Sequence, residues 1–373
     1  MAEAGTVSRE EEGVAPEKLL QGVSEEVALE ILEEMLLYRR FEEKAEEAYA
    51  IGMIGGFCHL HIGQEGVAAG CIKPLRTEDY ILTSYRDHTQ AIAKGVDPKA
   101  VMAELFGRAD GCSGGKGGSM HMFDPAVGFM GGHGIVGGQV PLAAGMGFAA
   151  KYRGEERVTV CFMGDAAVNQ GSFHETLNMS AVWGLPVLYV VENNEYGMGT
   201  AFRRVSTTEI KDRACAYGIE SSTVNGQDVL ETYNHCSKLV DEIRAGGGPR
   251  YLEVRTYRFK GHSMSDPVSG TYRSREEVES RRDEEDPIHI LRDRLFQVGA
   301  LTQEGLEEMD ERVRAVVDEA YAFAEESPTP APEALYTNVW AEINEHGRLF
   351  LDRRPETPAP GETPATPRDG EGA

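Results

Sequence analysis

Val158-Thr-Val-Cys-Phe-Met163 is an apolar and β-branched run that ends at Gly164-Asp165. A second run of the same kind, Pro186-Val-Leu-Tyr-Val-Val191, follows a helical stretch of about residues 172–183. Fully apolar strands separated by a helix are typical of parallel strands that are covered on both faces. The two runs therefore predict one β-α-β unit inside a buried sheet.

The chain beyond these runs continues the same alternation. A helical stretch of about residues 227–245 precedes another strand candidate, Tyr251-Leu-Glu-Val-Arg-Thr-Tyr257. This order predicts an α/β protein with a doubly wound, mostly parallel sheet and helices on both faces.

The two ends of the chain differ from this middle part. An amphipathic helix is predicted from Ser24 onward, and the chain after Asp286-Pro287 has a helical pattern almost to Ser327. We expect an acidic mobile segment over residues 1–22, an α/β domain with helical extensions over 23–350, and a proline-rich disordered tail over 351–373.

Composition excludes several classes of partner. The chain has 373 residues and a formal net charge of −25, so neither nucleic acid nor an anionic membrane surface is an expected ligand. No apolar run reaches the ~18 residues of a spanning helix. The first residues contain neither a secretory signal nor an Arg-rich transit peptide, which favours a cytoplasmic, bacterial-type protein. The six cysteines form no C-x-x-C pair, so buried free thiols are expected.

Two polar side chains follow the two apolar runs. Asp165 and Asn194 stand at the ends of successive strands, and ligands of parallel sheets bind beyond the carboxyl ends of the strands. A carboxylate and an amide oxygen at that place suit Mg²⁺ and a phosphate group. The alternative is that Asp165 caps a helix and Asn194 forms a turn.

The longer strings around these two residues favour the metal site. Gly164-Asp165-Ala166-Ala167 and Glu192-Asn193-Asn194 resemble the thiamine diphosphate motif, which opens with Gly-Asp-Gly and closes with Asn-Asn. The resemblance implies that Asp165, Asn194 and the backbone carbonyl of Tyr196 hold the metal. It also places Ala166 and Ala167 at the diphosphate, although the motif usually has Gly where this chain has Ala166.

Five further strings extend the likeness over about residues 25–345. They are Phe57-Cys58-His59-Leu60, Thr83-Ser84-Tyr85-Arg86-Asp87-His88, Gly114-Gly115-Lys116-Gly117-Gly118-Ser119-Met120-His121-Met122, Gly134-Ile135-Val136-Gly137 and Gly261-His262-Ser263-Met264-Ser265-Asp266-Pro267. Together they resemble the alpha subunits of the thiamine diphosphate-dependent 2-oxoacid dehydrogenases, in particular those of the pyruvate dehydrogenase type.

This resemblance assigns roles to individual side chains. Tyr85 and Arg86 would hold the diphosphate, with Arg86 offering a planar fork to phosphate oxygens. Gly134 and Val136 would present backbone groups to the aminopyrimidine ring. His59 would lie near the substrate, and His262 would contact the diphosphate and shield the reacting carbon.

The resemblance also implies partners and a reaction. The glutamate that activates the cofactor would belong to a beta subunit, so the chain would be active only in a heterotetramer of two alpha and two beta subunits. The assembled enzyme would decarboxylate pyruvate and pass the two-carbon unit to a lipoyl acyltransferase. The alternatives are the alpha subunit of acetoin dehydrogenase or of another 2-oxoacid dehydrogenase, or a subunit without catalysis that serves only assembly.

Two other strings have superficial likeness to ligand sites. Gly111-Cys-Ser-Gly-Gly-Lys116 lacks the spacing of an ATP-binding P-loop, so a flexible loop is expected there. His59-Leu-His61 has no third ligand at a useful interval, so a zinc site is not expected.

Overall fold

The computed structural model describes residues 16–337. Its α-helices are α1 (Pro16–Leu19), α2 (Glu25–Ala50), α3 (Glu65–Ile72), α4 (His88–Lys94), α5 (Pro98–Leu105), α6 (Gln139–Arg153), α7 (Gly171–Trp183), α8 (Asp212–Cys215), α9 (Val229–Glu242), α10 (Arg275–Glu285), α11 (Pro287–Val298) and α12 (Gln303–Glu326). The strands are β1 (Tyr80–Ser84), β2 (Phe129–His133), β3 (Thr159–Gly164), β4 (Val187–Asn193), β5 (Tyr196–Gly197), β6 (Thr200–Ala201), β7 (Glu220–Asn225) and β8 (Arg250–Arg255).

Six of the strands form one parallel sheet in the order β2-β1-β3-β4-β8-β7. The two apolar runs of the sequence are β3 and β4, which lie side by side with Val160 opposite Leu188. The predicted α/β fold with a mostly parallel sheet is therefore confirmed. Strands β5 and β6 form a separate antiparallel pair just after β4.

The alternation of side chains along β3 explains why the whole run is apolar. Val160 and Phe162 belong to one hydrophobic core, whereas Cys161 and Met163 belong to a second core on the other face of the sheet. Successive side chains of a strand point to opposite faces. Because both faces are covered by helices, no position of the strand can be polar without a cost.

The helical regions follow the sequence prediction with one difference. The Ser24 hydroxyl accepts a hydrogen bond from the backbone N–H of Val27 and so caps α2. The predicted helical region after Pro287 is divided into α11 and α12, since Gly299 takes a left-handed conformation with φ of 75°. Glycine is the usual residue at such a helix end because it has no Cβ.

The structure describes only part of the two segments predicted to be mobile. Within the predicted segment 1–22, Pro16–Leu19 is a short helix, and Leu20 is buried at 2% exposure. The predicted tail at 351–373 lies outside the described residues. Of the part of the chain after residue 330, the structure describes residues 331–337, in which Pro332–Tyr336 is a short 3₁₀ helix.

Two further sequence predictions bear on the whole chain. The six cysteines are free thiols, as expected, and four of them are buried. Among residues 16–337, none of the helices combines the length and apolarity that a bilayer span demands.

Candidate active site

A cavity of about 740 Å³ lies at the carboxyl ends of the strands. It is lined by residues that follow β1, β2, β3, β4 and β8, so the sheet itself gathers them. All the site residues predicted from the sequence line this cavity: His59, Tyr85, Arg86, Gly134, Val136, Asp165, Ala166, Ala167, Asn194, Tyr196 and His262. The residues selected by the strand-end rule thus lie together at one edge of the sheet.

Two of the three predicted metal ligands, Asp165 and Asn194, each offer a buried side-chain oxygen atom. Asp165 Oδ2 and Asn194 Oδ1 are shielded from solvent and have no hydrogen-bond partner in the structure. The Asn194 amide is held by its nitrogen, which donates to Gln64 Oε1 at 3.0 Å. Buried polar atoms are normally paired, so two unpaired hard oxygens in one cavity fit a divalent cation such as Mg²⁺.

The electrostatics of Asp165 agree with that fit. Burial raises the pKa of the Asp165 carboxyl to about 6, and backbone hydrogen bonds and the charge of Arg258 offset this only in part. A carboxylate that is costly to ionise in the free chain gains the most from a cation beside it. The residues present therefore suit the metal that the motif implies.

Ala166, the departure from the usual motif, packs beside Gly197. A Cβ built on Gly197 would lie 2.7 Å from the Cβ of Ala166, which is closer than real Cβ atoms approach. The methyl group of Ala166 thus occupies space that a glycine at 197 leaves free. This pairing explains how the chain accommodates an alanine where the motif has glycine.

Two buried arginines supply positive charge to the cavity. The Arg86 guanidinium donates to the carbonyls of Leu60 at 2.6 Å and His262 at 2.8 Å, and Arg258 donates to Tyr272 Oη at 3.1 Å. Among the described residues, neither arginine has a carboxylate partner in a salt bridge. Burial, followed by the charge of Arg258, lowers the pKa of Arg86 to about 10. Two buried cations without a salt-bridge partner are suited to a diphosphate.

The two predicted histidines lie together at this cavity. The ring of His59 is 4.7 Å from that of Tyr85 and 5.2 Å from that of His262, centroid to centroid. Burial, then the charge of Arg86, lowers the pKa of His59 to about 2 and that of His262 to about 4. Both imidazoles are therefore neutral at pH 7, and each has a buried Nδ1 without a partner.

The predicted aminopyrimidine loop follows β2. Val136 is 40% exposed, whereas Gly137 beside it has a φ of +79°. A residue with a Cβ is strained at that angle, so glycine allows the loop to turn. The backbone of Gly134 and Val136 thereby reaches the cavity wall.

The glycine-rich loop at 111–118 is ordered, and the predicted flexible loop is wrong. The Glu104 carboxylate accepts hydrogen bonds from the backbone N–H groups of Ser113 and Gly115 at one oxygen. Its other oxygen accepts from Gly117 and Gly118. The anion that this loop binds is therefore the Glu104 carboxylate of the same chain.

Sequence reasoning missed two residues of the site. Arg258 follows the end of β8 and could have been found by the same strand-end rule that selected Asp165. Gln64 lies just before α3, far from Asn194 in sequence, and no local pattern indicates that it holds the Asn194 amide.

The fold and this cavity together define a class: an α/β protein with its ligand site at the carboxyl ends of parallel strands. Within that class, the chain matches the family described as the dehydrogenase E1 component over residues 33–333 and belongs to it. Enzymes of this family depend on thiamine diphosphate.

Several relatives are similar over most of their length. The pyruvate dehydrogenase E1 component subunit alpha of Zymomonas mobilis is 49% identical over 316 residues, which cover 84% of this chain and 88% of the relative. The protein of the same name from Rhizobium meliloti is 47% identical over 85% of this chain and 90% of its own length. The pyruvate dehydrogenase E1 component subunit alpha-1, mitochondrial, of Oryza sativa is 46% identical over 84% of this chain and 79% of its own.

Proposed function

We propose that this chain is the alpha subunit of the decarboxylating component of a pyruvate dehydrogenase complex. The observation that carries the proposal is that two unpaired hard oxygens and two buried arginines line the same cavity. The names of relatives at 46–49% identity support pyruvate as the substrate. The alternatives of acetoin dehydrogenase and of a purely structural subunit become outcomes of the test.

The cation would be Mg²⁺, held by Asp165, Asn194 and the Tyr196 carbonyl. The Asn194 side-chain nitrogen donates to Gln64 Oε1, so that the Asn194 side-chain oxygen is left for the metal. The diphosphate would be held by Tyr85, Arg86 and the backbone at Ala166 and Ala167. Arg258, which lines the same cavity as Arg86, adds a second positive charge.

The chemistry belongs partly to the cofactor. Thiamine diphosphate, when bound, supplies a carbon nucleophile and an electron sink that allows CO₂ to leave a 2-oxoacid. The chain would provide orientation: the backbone of Gly134 and Val136 would hold the aminopyrimidine, and the neutral imidazoles of His59 and His262 would position the substrate. A neutral imidazole can both donate and accept a hydrogen bond, which suits groups that position a carbonyl oxygen.

The proposal includes partners. A beta subunit would supply the glutamate that activates the cofactor, giving a heterotetramer of two alpha and two beta subunits. The acetyl unit would pass to lipoyl groups of the acyltransferase component.

The proposal is tested by reconstitution. The chain and its beta subunit are combined, and pyruvate decarboxylation, 2-oxoisovalerate decarboxylation and acetoin cleavage are measured with and without Mg²⁺ and thiamine diphosphate. We expect pyruvate to be the preferred substrate, with activity that needs both the cofactor and the beta subunit. Acetoin cleavage without pyruvate decarboxylation would overturn the assignment of pyruvate as the substrate. A complete absence of cofactor binding would favour a subunit that serves only assembly.

A further inference from the structure

Three buried side chains form a continuous hydrogen-bonded chain behind the cavity. Glu42 Oε2 lies 2.9 Å from His88 Nδ1, and His88 Nε2 lies 2.8 Å from Ser119 Oγ. Their exposed fractions are 1%, 0% and 4%, so water does not compete for these contacts. We refer to Glu42, His88 and Ser119 as the Ser119 relay.

The protons of the relay follow from its charges. Burial raises the pKa of Glu42, but the facing His88 ring outweighs it and holds the pKa below its usual range. Burial likewise lowers the pKa of His88, and Glu42 overcomes this and raises it. His88 Nδ1 faces the Glu42 carboxylate, and Nε2 also lies 3.2 Å from the backbone carbonyl oxygen of Ser119. Because both of these oxygens accept hydrogen bonds, both ring nitrogens are placed to donate. The Nδ1–H donates to Glu42 and the Nε2–H to Ser119.

The relay ends at the backbone of a cavity residue. The backbone N–H of His59 donates to Ser119 Oγ at 3.3 Å. His59 follows Phe57 and Cys58 in a segment without helix or strand, so its backbone lacks the ladder of hydrogen bonds that regular structure provides. The contact with Ser119 supplies a fixed point for the residue whose ring packs against Tyr85 and His262.

Ser119 itself is fixed from a second side. It lies in the short 3₁₀ helix Gly118–Met120, directly after the loop that encloses the Glu104 carboxylate. The hydroxyl is therefore placed by two buried carboxylates, Glu104 through the loop backbone and Glu42 through His88.

A serine, a histidine and a carboxylate in a row also describe a hydrolytic triad. The geometry opposes that role, because an Nε2–H that donates to the Ser119 backbone carbonyl cannot take the serine proton. The position opposes it as well: among the described residues, Met120 lines the cavity and Ser119 does not. The relay lacks access to a substrate.

We propose that Ser119, held by Glu42 and His88, is a positioning residue that fixes the backbone of His59 and so aims the His59 ring into the cavity. The inference rests on the proposed function, since it assumes that His59 orients the substrate. A misplacement of about 1 Å at a catalytic group can cost up to ~100-fold in rate.

The first test is made on the assembled enzyme without cofactor. Hydrogen exchange is measured for the peptide that contains the His59 amide, in the natural enzyme and in Ser119→Ala. We expect the His59 amide to exchange at least tenfold faster in the variant. Ser180→Ala is the matched control, because the Ser180 hydroxyl is equally buried and bonds Tyr189 Oη at 2.6 Å, away from the cavity. Unchanged exchange at His59 in Ser119→Ala overturns the proposal.

The second test separates positioning from general damage to the fold. Ser119→Ala is expected to lower kcat for pyruvate by roughly tenfold, with thiamine diphosphate affinity within twofold of the natural enzyme. Combined with His59→Ala, it should add no further loss, since residues that act through one another are not additive. Additive losses, or a kcat equal to that of Ser180→Ala, contradict the inference. If the natural assembled enzyme fails to decarboxylate pyruvate, the proposed function falls, and the exchange experiment still decides whether Ser119 fixes His59.

Discussion

Asp165 is a residue whose burial favours metal binding but lowers the stability of the metal-free chain. Its carboxyl is buried, and its pKa of about 6 lies above the ordinary value of 3.8. An acidic group whose pKa is raised in the folded state opposes folding once it is ionised, so at pH 7 the carboxylate destabilises the metal-free chain.

We therefore expect Asp165→Asn to stabilise the metal-free chain by about 1–3 kcal/mol while abolishing Mg²⁺-dependent cofactor binding. Urea denaturation gives the first quantity, and calorimetric titration of the assembled enzyme with thiamine diphosphate and Mg²⁺ gives the second. Asp165→Ala should lose binding in the same way. Unchanged cofactor affinity in either variant would remove Asp165 from the metal site.

The contact of Ala166 with Gly197 yields a second prediction at this scale. Gly197→Ala would place two Cβ atoms 2.7 Å apart, so it should weaken cofactor binding by moving the backbone after β4. The double variant Ala166→Gly with Gly197→Ala removes the opposing methyl, and the nearest remaining neighbours would lie 4.0 Å away. We expect the pair to restore binding that the single change loses. The measurement is the dissociation constant for thiamine diphosphate, and an unrescued double variant would mean that the clash is not the cause.

At the scale of elements, the sequence located β3, β4 and β8 together with α7 and α9, with ends that differ by a few residues. The spacing of hydrophobic residues and the positions of turn residues indicate strands and helices from short stretches of sequence. The order of the glycine-rich loop was missed because its organising residue, Glu104, lies on α5 and acts through the loop backbone, which has no side-chain signature.

The loop gives the prediction that belongs to this scale. Glu104→Gln keeps the shape of the side chain but replaces one acceptor oxygen by an N–H donor, which faces backbone N–H groups instead of pairing with them. We expect a loss of about 1–3 kcal/mol in the free energy of unfolding and faster hydrogen exchange confined to residues 111–119.

The control for this variant is Glu319→Gln. Glu319 lies on α12, and its carboxylate forms an exposed ion pair with Lys99. An exposed ion pair contributes little, so the control should stay within about 0.5 kcal/mol of the natural chain. If the two variants lose equal stability, the carboxylate is not what orders the loop.

For the whole molecule, one buried group of charges connects helices distant in sequence. The Arg39 guanidinium on α2 pairs with Glu65 on α3 at 2.5 Å and with Asp286, which caps α11, at 3.0 Å. All three side chains are at most 8% exposed. Removing one member leaves a buried charge without its partner, which typically costs 3–5 kcal/mol.

We expect Arg39→Met to destabilise the chain by about 3–5 kcal/mol, measured by denaturation at pH 7. Replacement of Arg312, whose pair with Glu33 is exposed, should have a small effect. An effect of Arg39→Met no larger than that of Arg312→Met would show that the buried group does not hold the helices together.

The same group predicts how stability depends on pH. Burial raises the pKa of Asp286, but Arg39 outweighs it and holds the pKa below the ordinary 3.8. A lowered pKa contributes stability that is present above the unfolded value and is lost as the pH falls through the folded value. The natural chain should therefore lose stability below about pH 4 more steeply than Asp286→Asn, which lacks this carboxyl. Parallel curves for the two proteins below pH 4 would contradict the assignment.

The sequence by itself determined the parallel α/β architecture, because the apolar runs and the helices between them are local patterns. It also determined which residues stand at the strand ends, and hence Asp165, Asn194 and their neighbours as the candidate site. Only the tertiary structure decided the second layer: Gln64 behind Asn194, Glu104 inside its loop and the Ser119 relay behind His59. These contacts join segments far apart in the chain, and their partners are set by three-dimensional packing, which leaves no periodic or local trace in the order of the residues.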